Sequence, residues 1–280
     1  MPAQAFASAD IKEMVRARYG DIAAGTASSC CAPSSRRSEP AVSDIDDRAR
    51  AMGYSAEEVA AMPEGANLGL GCGNPQAIAA MRAGEVVIDL GSGAGFDCLL
   101  AARQVGASGH VIGVDMTHEM LKKARENAAR VGAANVEFRL GELEHLPVAD
   151  GTADVILSNC VINLVPDKPQ VFREAFRVLK PGGRLAISDV VNTKPLTPEL
   201  AADRALVCGC VAGAAPALEI EAWLQAAGFR DIRVSVKAES RDLVASWAPG
   251  RGIEDFVAAA IIEARKPASG EACCAPGCCA

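Results

Sequence analysis

Residues 86–97 read VVIDLGSGAGFD, an apolar run that breaks on three alternating glycines and then resumes with helical spacing. A strand turned this tightly into a helix belongs to a parallel βαβ unit, because parallel neighbours need a crossover and only glycine backbone bends so sharply. The alternation recurs: "HVIGVD", a helix over 117–131, "VEFRL", "ADVILSN", a helix over 168–179, "GGRLAISDV", a helix over 219–227, "IRVSV" and "FVAAAIIEAR". Nearly continuous apolar strands separated by helices predict an α/β fold, a mostly parallel sheet with helices on both faces. No obvious crossover helix joins "IRVSV" to the last strand, so one antiparallel edge strand is expected. "LKPGG" marks the stop between helix and strand.

At 280 residues the chain has room for one such domain and a modest appendage. A net charge of -7 argues against nucleic acid or an anionic membrane as partner and leaves small molecules. The N-terminus lacks the basic start and apolar core of a secretory signal, and the longest uncharged apolar stretch, 205–218, is too short to span a bilayer. A cytoplasmic location is expected, where eleven cysteines suit metal or redox chemistry better than a disulfide framework. Four segments are expected: 1–70, helical and loop, carrying Cys30 and Cys31; 71–240, the core; 241–267, an extension with the last strand; and 268–280, a Cys-rich tail predicted to be disordered.

Gly91, Gly93 and Gly95 free the backbone to approach a ligand at a helix N-terminus, which favours a negative group. Asp115 ends the second strand twenty residues past Gly95, where a carboxylate can accept both ribose hydroxyls. Together these indicate an adenosyl cofactor. The spacing G-x-G-x-G departs from the dinucleotide G-x-G-x-x-G. Asp89 precedes the loop, and Glu142 in "GELEHLP" stands where an acid can accept from an adenine amino group. Over residues 70–240 these motifs resemble the Rossmann-like class I S-adenosylmethionine-dependent methyltransferases. The resemblance implies cofactor contacts at Asp89, Gly91, Ser92, Gly93, Gly95, Asp115, Met116, Glu142 and Asn159, with Asp89 orienting the methionine amino group and Asp115 with Met116 cradling ribose and adenine.

Three thiols stand in settings that no core demands: Cys72 in "GLGCGNP", Cys160 at the end of the fourth strand in "SNCVIN", and Cys210 in "CGCVAGA". A trigonal set of sulfurs suits a thiophilic ion and lacks the pair spacing of structural zinc. "GLGCGNP", "SNCVINLVPDK", "CVAGA" and an N-terminal "SCC" resemble the arsenite methyltransferases. That resemblance implies trivalent arsenic held by Cys72, Cys160 and Cys210. It also implies a redox pairing of Cys72 with Cys30 or Cys31, of which Cys31 is preferred, and a thiol reductant, thioredoxin or glutathione. A monomer methylating arsenite or its thiol conjugates for detoxification is the expected protein.

Cys208 competes with Cys210 for the third position, and Cys98 reads as a core thiol. Cys273, Cys274, Cys278 and Cys279 either capture soft ions or are dispensable. His110, His118 and His145 lack ligand spacing. The competing readings are a small-molecule methyltransferase with structural cysteines and a thiol-rich metalloid-binding protein.

Overall fold

The computed structural model describes residues 6–27 and 42–270. Helices α1 (Ser8–Ala23), α2 (Val42–Ala51), α3 (Ala56–Ala60) and α4 (Gln76–Ala79) precede the sheet. Then follow β1 (Val86–Leu90), α5 (Phe96–Val105), β2 (His110–Asp115), α6 (His118–Val131), β3 (Val136–Leu140), β4 (Ala153–Asn159), α7 (Lys168–Val178) and β5 (Leu179–Asn192). The chain continues through α8 (Pro198–Ala201), α9 (Arg204–Cys208), β6 (Ala215–Pro216), α10 (Ala217–Ala227), β7 (Arg230–Val236), α11 (Arg241–Trp247) and β8 (Val257–Arg265).

The strands lie in the order β3-β2-β1-β4-β5-β8-β7, with β6 beside β5. β8 runs antiparallel to both β5 and β7, while the other pairings are parallel. The antiparallel strand thus stands one place in from the margin, with β7 outermost. The connection leading to β8 contains α11, which its short, mixed sequence does not announce. β5 begins at Leu179, so "LKPGG" joins the strand instead of separating it from α7, and the register shifts opposite Ala153 and Val155.

Both sheet faces are covered. One side packs α7 and α10 through Phe172, Leu224 and Phe229, and the other packs α5 and α6 through Leu99, Leu121 and Ala124. α7 shows why such helices form where they do. The Asp167 side chain accepts from the Gln170 N–H, Pro169 sits in the first turn, and Val171, Phe172, Ala175 and Val178 fall on one buried stripe. The chain winds outward from β1 to β3, then returns to lay β4 on β1's other side. That reversal opens a crevice at the carboxyl ends of β1 and β4, the usual ligand position in such sheets.

Candidate active site

The glycine loop leaves β1 at this crevice. Gly91 is left-handed (φ +73), and a Cβ there would meet the Val161 side chain at 2.5 Å. Gly93 is also left-handed (φ +50), but a Cβ would meet open space. The two glycines serve different ends: Gly91 lets β1 and β4 exits pack, while Gly93 bares backbone to the cavity. Asp89, Gly91, Ser92, Gly93, Asp115, Met116 and Asn159 all line one cavity. Gly95 does not line it; it starts α5 in a left-handed conformation against Phe138.

Asp115 accepts from the Gly93 N–H at 3.0 Å and the Thr117 N–H at 2.8 Å, tying loop to strand end. Burial nonetheless raises its carboxyl above the ordinary range. Burial also pushes Asp89 well upward, aided by the neighbouring Asp97 charge and opposed by the Cys98 thiol, which donates to it at 3.2 Å. The core-thiol reading of Cys98 agrees with its complete burial. Asp97, itself raised by burial, accepts from Tyr54 at 2.8 Å, from Gln76 at 3.1 Å and from Asn159 at 3.3 Å. Asn159 is a junction: it also donates to Gly73 O at 2.8 Å and accepts from the Cys72 N–H at 3.1 Å, so it pins the "GLGCGNP" turn to the end of β4.

Glu142, like Gly95, does not line this cavity. Its carboxylate takes Lys12 at 2.6 Å and Arg16 at 3.3 Å from α1, and Lys12 chiefly draws it below the usual range. The cavity wall nearby is Glu144, which also binds Lys12, at 3.0 Å. The sequence reading named Glu142 and did not single out Glu144, because the approach of α1 from far along the chain leaves no local pattern.

Of the three singled-out thiols, Cys72 and Cys160 stand together, and Cys210 lies beside Cys160 but outside that tight group. The sulfurs of Cys72 and Cys160 and a carboxylate oxygen of Asp189 lie within 4.8 Å of one another. The Cys160 side chain contacts both Cys72 and Cys210. The Cys210 thiol donates to the Cys160 carbonyl at 2.8 Å. Cys160 and Cys210 both adopt left-handed backbone (φ +59 and +63). Such conformations cost on the order of 1–3 kcal/mol each outside glycine and concentrate where geometry is functional. Contact with Cys210 pulls the Cys160 thiol down, but Cys72, burial and the Asp189 charge outweigh it and hold the thiol well above its ordinary value.

Cys208 ends α9, buried beside Val15, and lines neither cavity at the thiols. Cys30, Cys31 and the four tail cysteines lie outside the described residues. Asp189 was not singled out in the sequence; it lies within β5, one position past Ser188, the last residue paired with β4. It accepts from the Ile162 and Val190 N–H groups at 3.0 and 2.7 Å and from the Asn163 amide at 2.9 Å. Burial raises it to about 6. Lys168, the buried end of "VPDK", donates to Val165 O at 3.0 Å and faces Asp189 and Cys210. His110 pairs with Glu137 at 3.1 Å, away from the site.

Residues 81–229 match the family model described as a methyltransferase domain. The arsenite methyltransferase of Halobacterium salinarum is 50% identical over 264 residues, covering 92% of this chain and 67% of that protein. That of Aquipseudomonas alcaligenes is 49% identical over 162 residues, 55% of this chain and 47% of its own length. Among solved structures, an arsenic(III) S-adenosylmethionine methyltransferase from Chlamydomonas reinhardtii is similar at a TM-score of 0.56 and 32% identity, covering 80% of this chain and 74% of that one. Among the described residues, no helix is long and apolar enough to cross a membrane.

Proposed function

The chain belongs to the arsenite methyltransferases, and from that premise we propose that it moves methyl groups from S-adenosylmethionine onto trivalent arsenic held by Cys72, Cys160 and Cys210. The observation that carries this reading is the Cys72–Cys160 pair, with the Cys210 thiol donating to the Cys160 carbonyl, next to the cavity lined by the glycine loop.

The cavity suits the cofactor on its own chemistry. Asp89 offers a carboxylate to an ammonium, Asp115 offers one to ribose hydroxyls, and the buried Ser92 hydroxyl has no hydrogen-bond partner among the described residues. When bound, S-adenosylmethionine supplies a methyl on positively charged sulfur, which an aligned lone pair can take without a general base.

Capture of arsenite is an exchange at neutral thiols. Each thiol replaces a hydroxyl: an As–S bond forms, an As–O bond breaks, and the thiol proton leaves with the hydroxyl as water. Three exchanges consume one As(OH)3 and release three waters, so no net charge is buried. The raised Cys160 thiol suits that neutral exchange. Sulfur ligands leave the arsenic lone pair for the methyl donor.

Arsenic that gives up its pair rises by two in oxidation state, and two electrons must return it before another cycle. In this reading the Cys31 thiol attacks the arsenic-bound sulfur of Cys72: the S–S bond forms, the As–S bond to Cys72 breaks and leaves its electron pair on arsenic, the Cys31 proton goes to solvent, and thiols of thioredoxin or glutathione then reduce the disulfide. The enzyme works as a monomer in the cytoplasm, for detoxification.

The test is incubation of full-length protein with methyl-labelled S-adenosylmethionine, arsenite and a thiol reductant, followed by separation of arsenicals. Label in methylated arsenic is expected, with loss on Cys160→Ser substitution. Label transferred only to organic acceptors would support a small-molecule methyltransferase instead, and arsenite binding without consumption of the donor would support a metalloid-binding protein.

A further inference from the structure

One buried acid of the cofactor cavity has no part in the glycine-loop motifs or in the transfer. Asp97 stands in the first turn of α5, is 8% exposed, and lines the cavity with Asp89 and Asp115. An acid at a helix N-terminus is often explained by the helix dipole alone. Here the side chain is held from elsewhere in the fold. Tyr54 donates to one carboxylate oxygen at 2.8 Å and Gln76 to the same oxygen at 3.1 Å, while Asn159 donates to the other at 3.3 Å. Tyr54 is itself buried and edge-on to Phe96 at 5.0 Å, so the phenol that fixes Asp97 is fixed in turn.

The acids of the cavity are not equivalent. Asp115 is tied to the N–H groups of Gly93 and Thr117, and Glu144 is paired with Lys12 at 3.0 Å. Asp89 receives only the Cys98 thiol among the described residues. Burial raises both Asp89 and Asp97, but three donors pull Asp97 back and keep it the charged member of the pair. Asp97 also lies toward the transfer end: the Asn159 that donates to it accepts from the Cys72 N–H at 3.1 Å and directly precedes Cys160.

The methyl donor and its product differ in charge at one atom. S-adenosylmethionine carries an ammonium, a sulfonium and a carboxylate; S-adenosylhomocysteine keeps the ammonium and the carboxylate, and its sulfur is a neutral thioether. Asp89 answers the ammonium that both share. A second fixed carboxylate toward the transfer end has a partner only in the donor. Building on the assignment of this cavity to S-adenosylmethionine, we propose that Asp97 is the residue by which the protein tells charged donor from spent product. Its carboxylate attracts the sulfonium and loses that attraction once the methyl has left. Each further transfer needs a fresh donor, so a product released from this attraction clears the cavity for the next cycle.

The experiment is calorimetric titration of full-length protein, without arsenic, with S-adenosylmethionine, S-adenosylhomocysteine and sinefungin, in which a carbon bearing an ammonium replaces the methylated sulfur. Asp97→Asn removes the charge and keeps the shape. It is expected to weaken both ligands that are cationic at this position by about tenfold or more, and S-adenosylhomocysteine by less than about threefold, since a unit charge pair a few ångströms apart at this depth is worth at least that difference. Asp97→Glu, which keeps the charge, is expected to preserve the ratio of donor to product affinity even where it weakens both. Asp97→Ser, smaller and still able to accept from Tyr54, reads the same ratio if the asparagine variant does not fold.

Equal losses for donor and product when the charge is removed, or a ratio that moves as far in Asp97→Glu, would assign Asp97 to the fold or to the ammonium and overturn the proposal. Failure of the unaltered protein to bind any of the three ligands would instead overturn the cofactor assignment on which the proposal rests.

Discussion

At the scale of single residues, position and partner decide which of several similar groups acts. Cys208 and Cys210 are two residues apart, yet Cys210 donates to the Cys160 carbonyl from a left-handed backbone, whereas Cys208 lines neither cavity at the thiols. Cys210→Ser is expected to lower arsenite methylation by about a hundredfold or more, since small misplacements at a reacting centre cost that much. Cys208→Ser is expected to keep most of the activity, read from the same labelled-product assay. Asp89 gives a pH prediction. Its carboxyl is raised by burial and by the Asp97 charge, so it takes up a proton at a higher pH than an ordinary carboxylate. The protonated form loses its attraction for the cofactor ammonium. Affinity for S-adenosylmethionine should therefore fall as pH drops through that raised range, well before normal acids titrate. Calorimetric titration of wild type against Asp89→Asn checks this: the variant should bind weakly and lose the pH dependence in that window. The sequence singled out Cys72 and Cys210 by their glycine neighbours and Cys160 by its place after the fourth strand. It could not disclose Asp189, Tyr54 or Asp97, whose meaning depends on what they meet across the fold.

At the scale of elements, α1 is the part whose placement matters most. Its Lys12, Val15 and Tyr19 line the cofactor cavity, and Lys12 ties it to Glu142 and Glu144 beyond β3. Lys12 is a quarter exposed, and such pairs stabilise by roughly 0.2–1 kcal/mol each in screened surroundings. Lys12→Ala should therefore loosen the helix without unfolding the protein. Hydrogen exchange across 8–23 is expected to quicken severalfold, and affinity for the cofactor to fall, while the melting temperature stays nearly constant. Unaltered exchange in α1 would show that Lys12 does not hold it. Helix periodicity made α1 legible, as it did α5, α6 and α7. Its contact with Glu142 was not legible, because no local pattern records a partner more than a hundred positions away. α11 was missed for a different reason: seven residues carry too little periodicity to stand out from a loop.

At the scale of the whole molecule, the parallel core followed from apolar runs alternating with helices, and the placement of the antiparallel strand did not. β8 enters between β5 and β7 because its alanine-rich, largely buried strand needs a neighbour on each side, whereas β7 is largely exposed and tolerates the margin. Phe229 anchors this margin, fully buried and edge-on to Phe176 at 5.2 Å. Phe229→Ala should cost about 3–5 kcal/mol. At roughly 2–4 °C per kcal/mol for a chain of this size, a melt by calorimetry should show a drop on the order of 10 °C. A loss of only a degree or two would mean the margin contributes little. The central claim, however, is the proposal that three sulfurs from distant segments, Cys72, Cys160 and Cys210, hold one arsenic. X-ray absorption at the arsenic edge, on full-length protein loaded with arsenite, reads that claim directly. Three sulfur neighbours and no oxygen are predicted for wild type, with a sulfur lost on substitution of Cys72, Cys160 or Cys210 in turn; an arsenic coordinated by oxygen, or a sulfur shell indifferent to those substitutions, would contradict it.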